Sequence, residues 1–114
     1  MSLATRLAEL AALPRGWYDG QGMPIAPGCL ATARDLVTHV VDALGFSAPD
    51  IAPSADLDGG LVIEWPGSAP YPYPSVHLDG DGTVRCVSLG GKEDIDLLTY
   101  DRAAIVAWLH EVLA

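Results

Sequence analysis

Two stretches in the first half of the chain place apolar residues at helical spacing. Residues 2–13 carry leucines every three to four positions, which predicts a short helix that Ser2 can cap. A longer helix is predicted from Pro27 or Gly28 to about Leu44, and Gly45 after it suits the left-handed position at a helix C-terminus. Its apolar stripe consists of Leu30, Ala33, Val37, Val40, Val41 and Leu44.

Alternation replaces helical spacing after the turn Asp58-Gly59-Gly60. In Leu61 to Trp65 every second residue is large and apolar, which predicts a central strand with Glu64 on the opposite face. We expect Trp65, at the end of this strand, to be buried beneath the helices as a hub of the core.

A hairpin is predicted from Ser75 to Leu78 and from Thr83 to Leu89. The two strands flank Asp79-Gly80-Asp81-Gly82, and Asp-Gly suits the positive φ of hairpin turns. Two aspartates in a glycine-rich loop also suggest a calcium-binding loop as an alternative interpretation. An EF-hand loop needs a glutamate at its twelfth position, where this chain has Gly90, so the turn interpretation is favoured.

The remaining elements complete a fold prediction. Ile51-Ala52 suits a brief edge strand, Ile95 to Thr99 a last strand, and Ala103 to Leu113 a final helix with Asp101 as its N-cap. The predicted fold is α+β: an antiparallel sheet of about four strands with helices packed on one face, in the order ααββββα. A length of 114 residues fits one domain, spanning 1–114.

The charge balance narrows the classes of partner. Fifteen acidic against six basic residues give a formal charge of −9, which argues against binding nucleic-acid phosphates or anionic membranes. It is compatible with a basic protein partner, or with acidity that merely maintains solubility. No apolar run is long enough to span a bilayer, and the N-terminus lacks the pattern of a signal peptide, so we expect a cytoplasmic protein.

A glycine-rich loop, residues 16–22, contains Trp17, Tyr18 and Asp19. One interpretation is that Trp17 folds back as a plug over the core, and this interpretation is favoured because a large aromatic needs burial. The other is a binding loop for a ligand or protein, since loops carry function disproportionately.

A second aromatic segment spans residues 66–74, and proline alternates with tyrosine in its second half, from Pro70 to Pro74. Such alternation favours extended polyproline II structure. Tyr71 and Tyr73 would then form either a protein-binding surface or a cover for the sheet edge, and both interpretations stay open.

Candidate chemistry is sparse. Cys29 and Cys86 fall in different elements and are expected to be buried free thiols. The histidines show no metal-ligand spacing, and no cofactor is predicted. Glu64 and His77 lie in neighbouring predicted strands and could face each other as an acid–base pair or as an ordinary cross-strand pair, the latter being favoured.

Motifs along residues 13–65 resemble those of a known family. They are Leu13-Pro14-x-Gly16-Trp17-x-Asp19-Gly20, Pro24-x-x-Pro27, Pro53, and Asp58-Gly59-Gly60-Leu61-x-x-Glu64-Trp65. The pattern resembles a family of small uncharacterised bacterial and phage proteins with a Gly-Trp-Asp-Gly loop before a helix. Tyr18, inserted between Trp17 and Asp19, departs from that pattern. The resemblance implies a fold but no known activity.

The resulting functional hypothesis is a small acidic, non-enzymatic protein-binding module. It would be an accessory factor encoded by a phage or mobile element that binds a host protein or a cognate toxin. Its binding residues would be Trp17, Tyr18, Asp19, Tyr71, Tyr73, Glu64 and His77. The alternatives are a small enzyme that uses Glu64 and His77, and a structural homodimer that buries the edge bearing Tyr71 and Tyr73.

Overall fold

A computed structural model describes residues 2–65, 74–88 and 94–113. These residues form three α-helices, one π-helical segment and five strands, joined by turns and loops. The helical elements are α1 (Leu3–Ala11), α2 (Pro27–Thr38), the π-helical segment (His39–Ala43) and α3 (Arg102–Leu113). The strands are β1 (Asp50–Pro53), β2 (Leu61–Glu64), β3 (Ser75–Leu78), β4 (Val84–Val87) and β5 (Ile95–Leu97).

The five strands form one antiparallel sheet in the order β1-β2-β3-β4-β5. Each strand pairs with its neighbours in sequence, so the sheet is a simple meander. The α+β prediction is confirmed, with one strand more than the expected four. The additional strand is β1, an edge strand around Ile51-Ala52 as predicted.

One face of the sheet forms the hydrophobic core with the helices. Leu61 and Ile63 are fully buried and Trp65 is 2% exposed, which confirms that this side of the central strand faces inward. The other inward positions are Ile51, Val76, Leu78, Val84 and Cys86. Trp108 in α3 is buried in the same core. Within the described residues no helix is both long and apolar enough to cross a bilayer.

The second predicted helix contains an interruption that its apolar pattern does not predict. It begins at Pro27 as expected, but α2 ends at Thr38 and the chain continues as a π-helical segment. The wider turn is closed by a hydrogen bond from Leu44 N–H to the His39 carbonyl oxygen, 3.2 Å long. Gly45 follows with a φ of +73°, which confirms its role at the helix end.

Two turns at one end of the sheet are joined through Asp58. Its carboxylate accepts hydrogen bonds from Gly60 N–H (2.9 Å) and from Gly80 N–H (3.3 Å). Gly80 belongs to the β3–β4 turn, so the loop before β2 and the predicted hairpin turn are held together. The backbones pack so closely that a side chain at Gly60 or Gly80 would collide with a backbone oxygen.

Candidate functional site

Hydrogen bonds within residues 16–22 fix the glycine-rich loop in a narrow hairpin-like turn. Tyr18 and Gln21 exchange two backbone hydrogen bonds of 2.8 Å, and Gly16 N–H donates to the Gly22 carbonyl oxygen over 2.8 Å. All three glycines have positive φ, and Asp19 also lies in the left-handed region with a φ of 54°. The glycine-rich sequence therefore specifies a defined turn, which we call the aromatic loop.

Trp17 packs on this loop and does not plug the core. Its indole Nε1–H donates to the Met23 carbonyl oxygen over 3.0 Å. The ring lies so close to the Gly22 backbone that a methyl group there would be 2.8 Å from Nε1. Trp17 is half-buried but is not among the described residues that pack against the core. The plug interpretation is wrong because the loop's own backbone supplies the burial.

Tyr18 is presented to solvent by the same loop. Tyr18 is 59% exposed and is one of three large hydrophobic residues that are exposed among the described residues. Its ring meets Trp17 edge-on, with the ring centroids 5.8 Å apart and the planes at 70°. Asp19, the next residue, is exposed as well. The aromatic loop thus exposes an aromatic ring that Trp17 contacts, followed in sequence by an exposed carboxylate.

Glu64 and His77 share the outer face of the sheet but are not directly opposite each other. The strand register pairs His77 with Val62, and Glu64 with Ser75. His77 Nε2 lies 3.1 Å from Ser75 Oγ, a hydrogen bond that sequence reasoning missed. The signal was available, because residues two apart on a strand lie on the same face.

The Ser75–His77 contact has limits as a catalytic arrangement. Ser75 is only 9% exposed. It lies in the middle strand, between β2 and β4, whose regular pairing uses the neighbouring backbone N–H groups. A serine nucleophile needs free donors near it to stabilise an oxyanion. The two remaining predicted binding residues, Tyr71 and Tyr73, lie outside the described residues.

A cavity of about 240 Å³ lies between the start of α2 and the β3–β4 turn, and Cys29 lines it. The Cys29 thiol donates to the Asp79 carbonyl oxygen over 3.3 Å. Burial raises the pKa of Cys29, and the carboxylates of Asp58, Asp79 and Asp81 raise it further. A raised pKa disfavours the thiolate, which is the nucleophilic form of cysteine, so these surroundings do not activate Cys29.

The other expectations about cysteine and metal chemistry can be compared with the same residues. Cys86 is a buried free thiol, as is Cys29, which confirms the prediction for both. Burial raises the pKa of Cys86 to about 12. Across residues 2–65, 74–88 and 94–113, no group of three or more His, Cys, Asp or Glu side chains could hold a metal ion.

Comparison with known proteins gives one partial similarity. No family model matches the chain, and no solved structure matches it. The chain is 33% identical over 104 residues to 20-hydroxy-prefusarin hydrolase of Gibberella moniliformis. The match covers 85% of this chain but 24% of the hydrolase. The chain therefore spans about a quarter of the curated relative's length, and the activity in that name belongs to the longer protein.

Proposed function

We propose that this protein is a non-enzymatic protein-binding module whose main contact is the aromatic loop. The observation that supports the proposal most directly is Tyr18, which is 59% exposed on a backbone held by internal hydrogen bonds. Ordering a side chain at an interface normally costs conformational entropy. A tyrosine on a loop that is already fixed loses little, which is why such residues are common binding anchors.

Charge supports a basic partner. The chain carries a formal charge of −9, and Asp19, the residue after Tyr18, is exposed in the same loop. Opposite charge accelerates encounter, and a carboxylate beside an aromatic anchor suits a lysine or arginine on the partner. The protein would be a cytoplasmic accessory factor, and the resemblance of residues 13–65 to bacterial and phage proteins is the reason to place it with a phage or mobile element. Its partner would be a host protein or a cognate toxin.

A binding experiment with matched variants tests the proposal. Products of the neighbouring genes and basic host proteins would be measured against wild type, Tyr18→Ala and Asp19→Asn. Because Tyr18 lies outside the core, Tyr18→Ala should unfold at the wild-type midpoint while binding at least about tenfold more weakly. His110→Ala removes an exposed ring elsewhere and should bind as wild type does. A partner that binds wild type and Tyr18→Ala equally would contradict the proposal.

A hydrolytic enzyme is the second candidate, and the Ser75–His77 hydrogen bond favours it together with the partial similarity to a hydrolase. In this alternative Ser75 Oγ attacks an ester carbonyl while His77 accepts the hydroxyl proton, and Glu64 lies opposite Ser75. The ester C–O bond then breaks, His77 passes the proton to the departing alcohol, and water hydrolyses the acyl-serine to release the acid and restore Ser75. Hydrolysis of p-nitrophenyl acetate by wild type should then be lost in Ser75→Ala and His77→Ala. It should persist in Ser47→Ala, which changes an exposed serine. Equal rates in all four proteins would remove the candidate.

A further inference from the structure

The two edges of the sheet differ in whether their backbone groups are available. Backbone groups of alternate residues point to opposite sides of a strand. Ser54 N–H donates to the Gly60 carbonyl oxygen over 3.0 Å, so Ser54 and Ala52 face β2. Ile51 and Pro53 must therefore direct their backbone groups to the outer edge of β1.

The edge of β1 is closed by side chains and by proline. Arg6 Nε–H from α1 donates to the Ile51 carbonyl oxygen over 2.8 Å, so that acceptor is occupied. Pro53 has no N–H to offer, and Pro49, two residues before Ile51, has none either. Prolines and charged side chains at a sheet edge are a known defence against the addition of another strand.

The same alternation carried across the sheet leaves β5 open. Asp79 N–H donates to the Thr83 carbonyl oxygen over 2.9 Å, so Thr83 and Arg85 face β3. Val84 and Cys86 then face β5, where their partners are Leu97 and Ile95. The backbone N–H and C=O of Asp96 therefore point away from the sheet. Within the described residues no strand lies beyond β5.

The apolar side chains of β5 are incompletely covered, as they would be in an interior strand that lacked one neighbouring strand. Ile95 and Leu97 face the core layer but are only half-buried, whereas Ile51 on β1 is 5% exposed. Leu98, which follows β5, is 88% exposed. An added strand would extend the apolar layer over Ile95 and Leu97.

The charges on the outer face indicate the chemistry of the missing neighbour. Arg85 on β4 and Asp96 on β5 are directly opposite, with Arg85 Nε 2.9 Å from Asp96 Oδ1. Opposite charges on facing residues of adjacent strands are favourable, so a base would continue the alternation beyond Asp96. A second copy paired antiparallel about Asp96 would instead place two aspartates opposite each other, which is unfavourable.

We propose that the free edge of β5 binds an extended segment of a partner protein by strand addition, with apolar residues alternating with lysine or arginine. The apolar side chains cover Ile95 and Leu97, and a basic side chain lies opposite Asp96. Backbone hydrogen bonds to Asp96 provide affinity and the side-chain pattern provides specificity. This surface is separate from the aromatic loop, so the proposal stands whether or not that loop binds.

A short labelled peptide provides the test. The probe is an end-blocked octapeptide of alternating valine and lysine, and fluorescence anisotropy at physiological salt measures its binding. An octapeptide of alternating serine and lysine has the same charge without the apolar side chains, and should bind at least about tenfold more weakly if apolar burial contributes. Amide hydrogen exchange of wild type should show new protection at Asp96 and Leu98 when the valine–lysine probe is bound.

Variants separate the backbone edge from general acidity. Leu98→Pro removes an edge N–H and should weaken binding at least tenfold, whereas Leu98→Ala keeps the N–H and should weaken it less. Asp96→Asn should weaken binding severalfold, and Asp50→Asn, which removes a carboxylate at the opposite edge, should not. Circular dichroism checks that each variant is folded. If Leu98→Pro does not fold, the binding of Asp96→Asn and the hydrogen-exchange data test the proposal instead.

Three results would overturn the proposal. The first is equal binding of the two peptides, which would indicate charge attraction alone. The second is protection at Ile51 in place of Asp96. The third is a dimer of the wild-type chain that sedimentation detects at micromolar concentration and Leu98→Pro abolishes, because the occupant would then be a second copy.

Discussion

Replacing Gly60 with alanine should be among the most damaging single-methyl changes in the molecule. The new Cβ would lie closer than 3.0 Å to the Leu78 carbonyl oxygen, and would also be 2.9 Å from Asp58 Oδ1 and 3.2 Å from Asp79 Cα. Real Cβ atoms essentially never come within 3.0 Å of another heavy atom. Two of these neighbours are backbone atoms, which cannot rotate away.

The expected cost follows from what has to move. Restoring ordinary contact requires Leu78 and the β3–β4 turn to shift relative to β2. Leu78 is 2% exposed and pairs with Leu61, which is fully buried, so the shift disturbs both the strand pairing and the core. Overpacking of this kind costs about 2–3 kcal/mol. With a urea m-value of about 1.5 kcal/mol/M, the unfolding midpoint should fall by about 1.3–2 M.

Two other glycines provide matched controls. Gly28 lies in the first turn of α2 with nothing within 4 Å of its Cβ position, so Gly28→Ala should stabilise by about 0.4–1 kcal/mol. Gly82 has the same free space but a φ of +94°, so Gly82→Ala should cost about 1–2 kcal/mol through backbone strain alone. Urea unfolding followed by tryptophan fluorescence measures all three. The reasoning fails if Gly60→Ala unfolds within 0.5 M of wild type, or if Gly28→Ala is as damaging as Gly60→Ala.

Three further predictions follow from burial and charge. At pH 8 the Cys86 thiol, with its pKa raised to about 12, should react with Ellman's reagent far more slowly than it does in urea; equal rates would show that it is accessible. Burial and the nearby Asp35 carboxylate raise the pKa of Tyr100 above its ordinary value of 10.0. The protonated Tyr100 therefore contributes its full share of the free energy of unfolding below pH 10, and this contribution is lost as the pH rises further. Tyr100→Phe should flatten that decline in urea unfolding, and an unchanged slope would contradict the assignment. Trp17→Ala should lower stability by less than about 1.5 kcal/mol and Trp108→Ala by about 3–5 kcal/mol, because Trp108 alone of the two lies in the core.

Patterns that depend on one element and its immediate neighbours were read correctly from the sequence. The alternation in Leu61 to Trp65 identified the buried face of β2, since the two-residue period of a strand fixes which side chains face the core. The Asp79–Gly82 turn and the Asp101 cap were likewise predictable, because short polar side chains and glycine have strong local preferences.

Features that depend on tertiary packing were missed. Leu36 is fully buried although it falls outside the predicted stripe, because α2 contacts both α1 and the sheet and so buries a wider face. Trp17 was assigned to the core by its size, but the carbonyl oxygen of Met23 and the bare backbone of Gly22 form a separate site for it. The sequence does not single out Ser75, because its importance depends on the orientation of the His77 ring.

The two edges of the sheet are protected differently, and this difference supports the proposal of strand addition at β5 independently of the aromatic loop. Arg6, Pro49 and Pro53 protect the β1 edge against another strand. Arg6 occupies the Ile51 carbonyl oxygen, and the two prolines have no N–H to donate. Among the described residues the opposite edge strand, β5, pairs with β4 alone, and it carries the charge of Asp96 and an exposed Leu98 but no proline. If avoidance of aggregation were the sole constraint on this sheet, both edges would need similar protection. An asymmetry of this kind is expected when one edge must remain available to a specific partner.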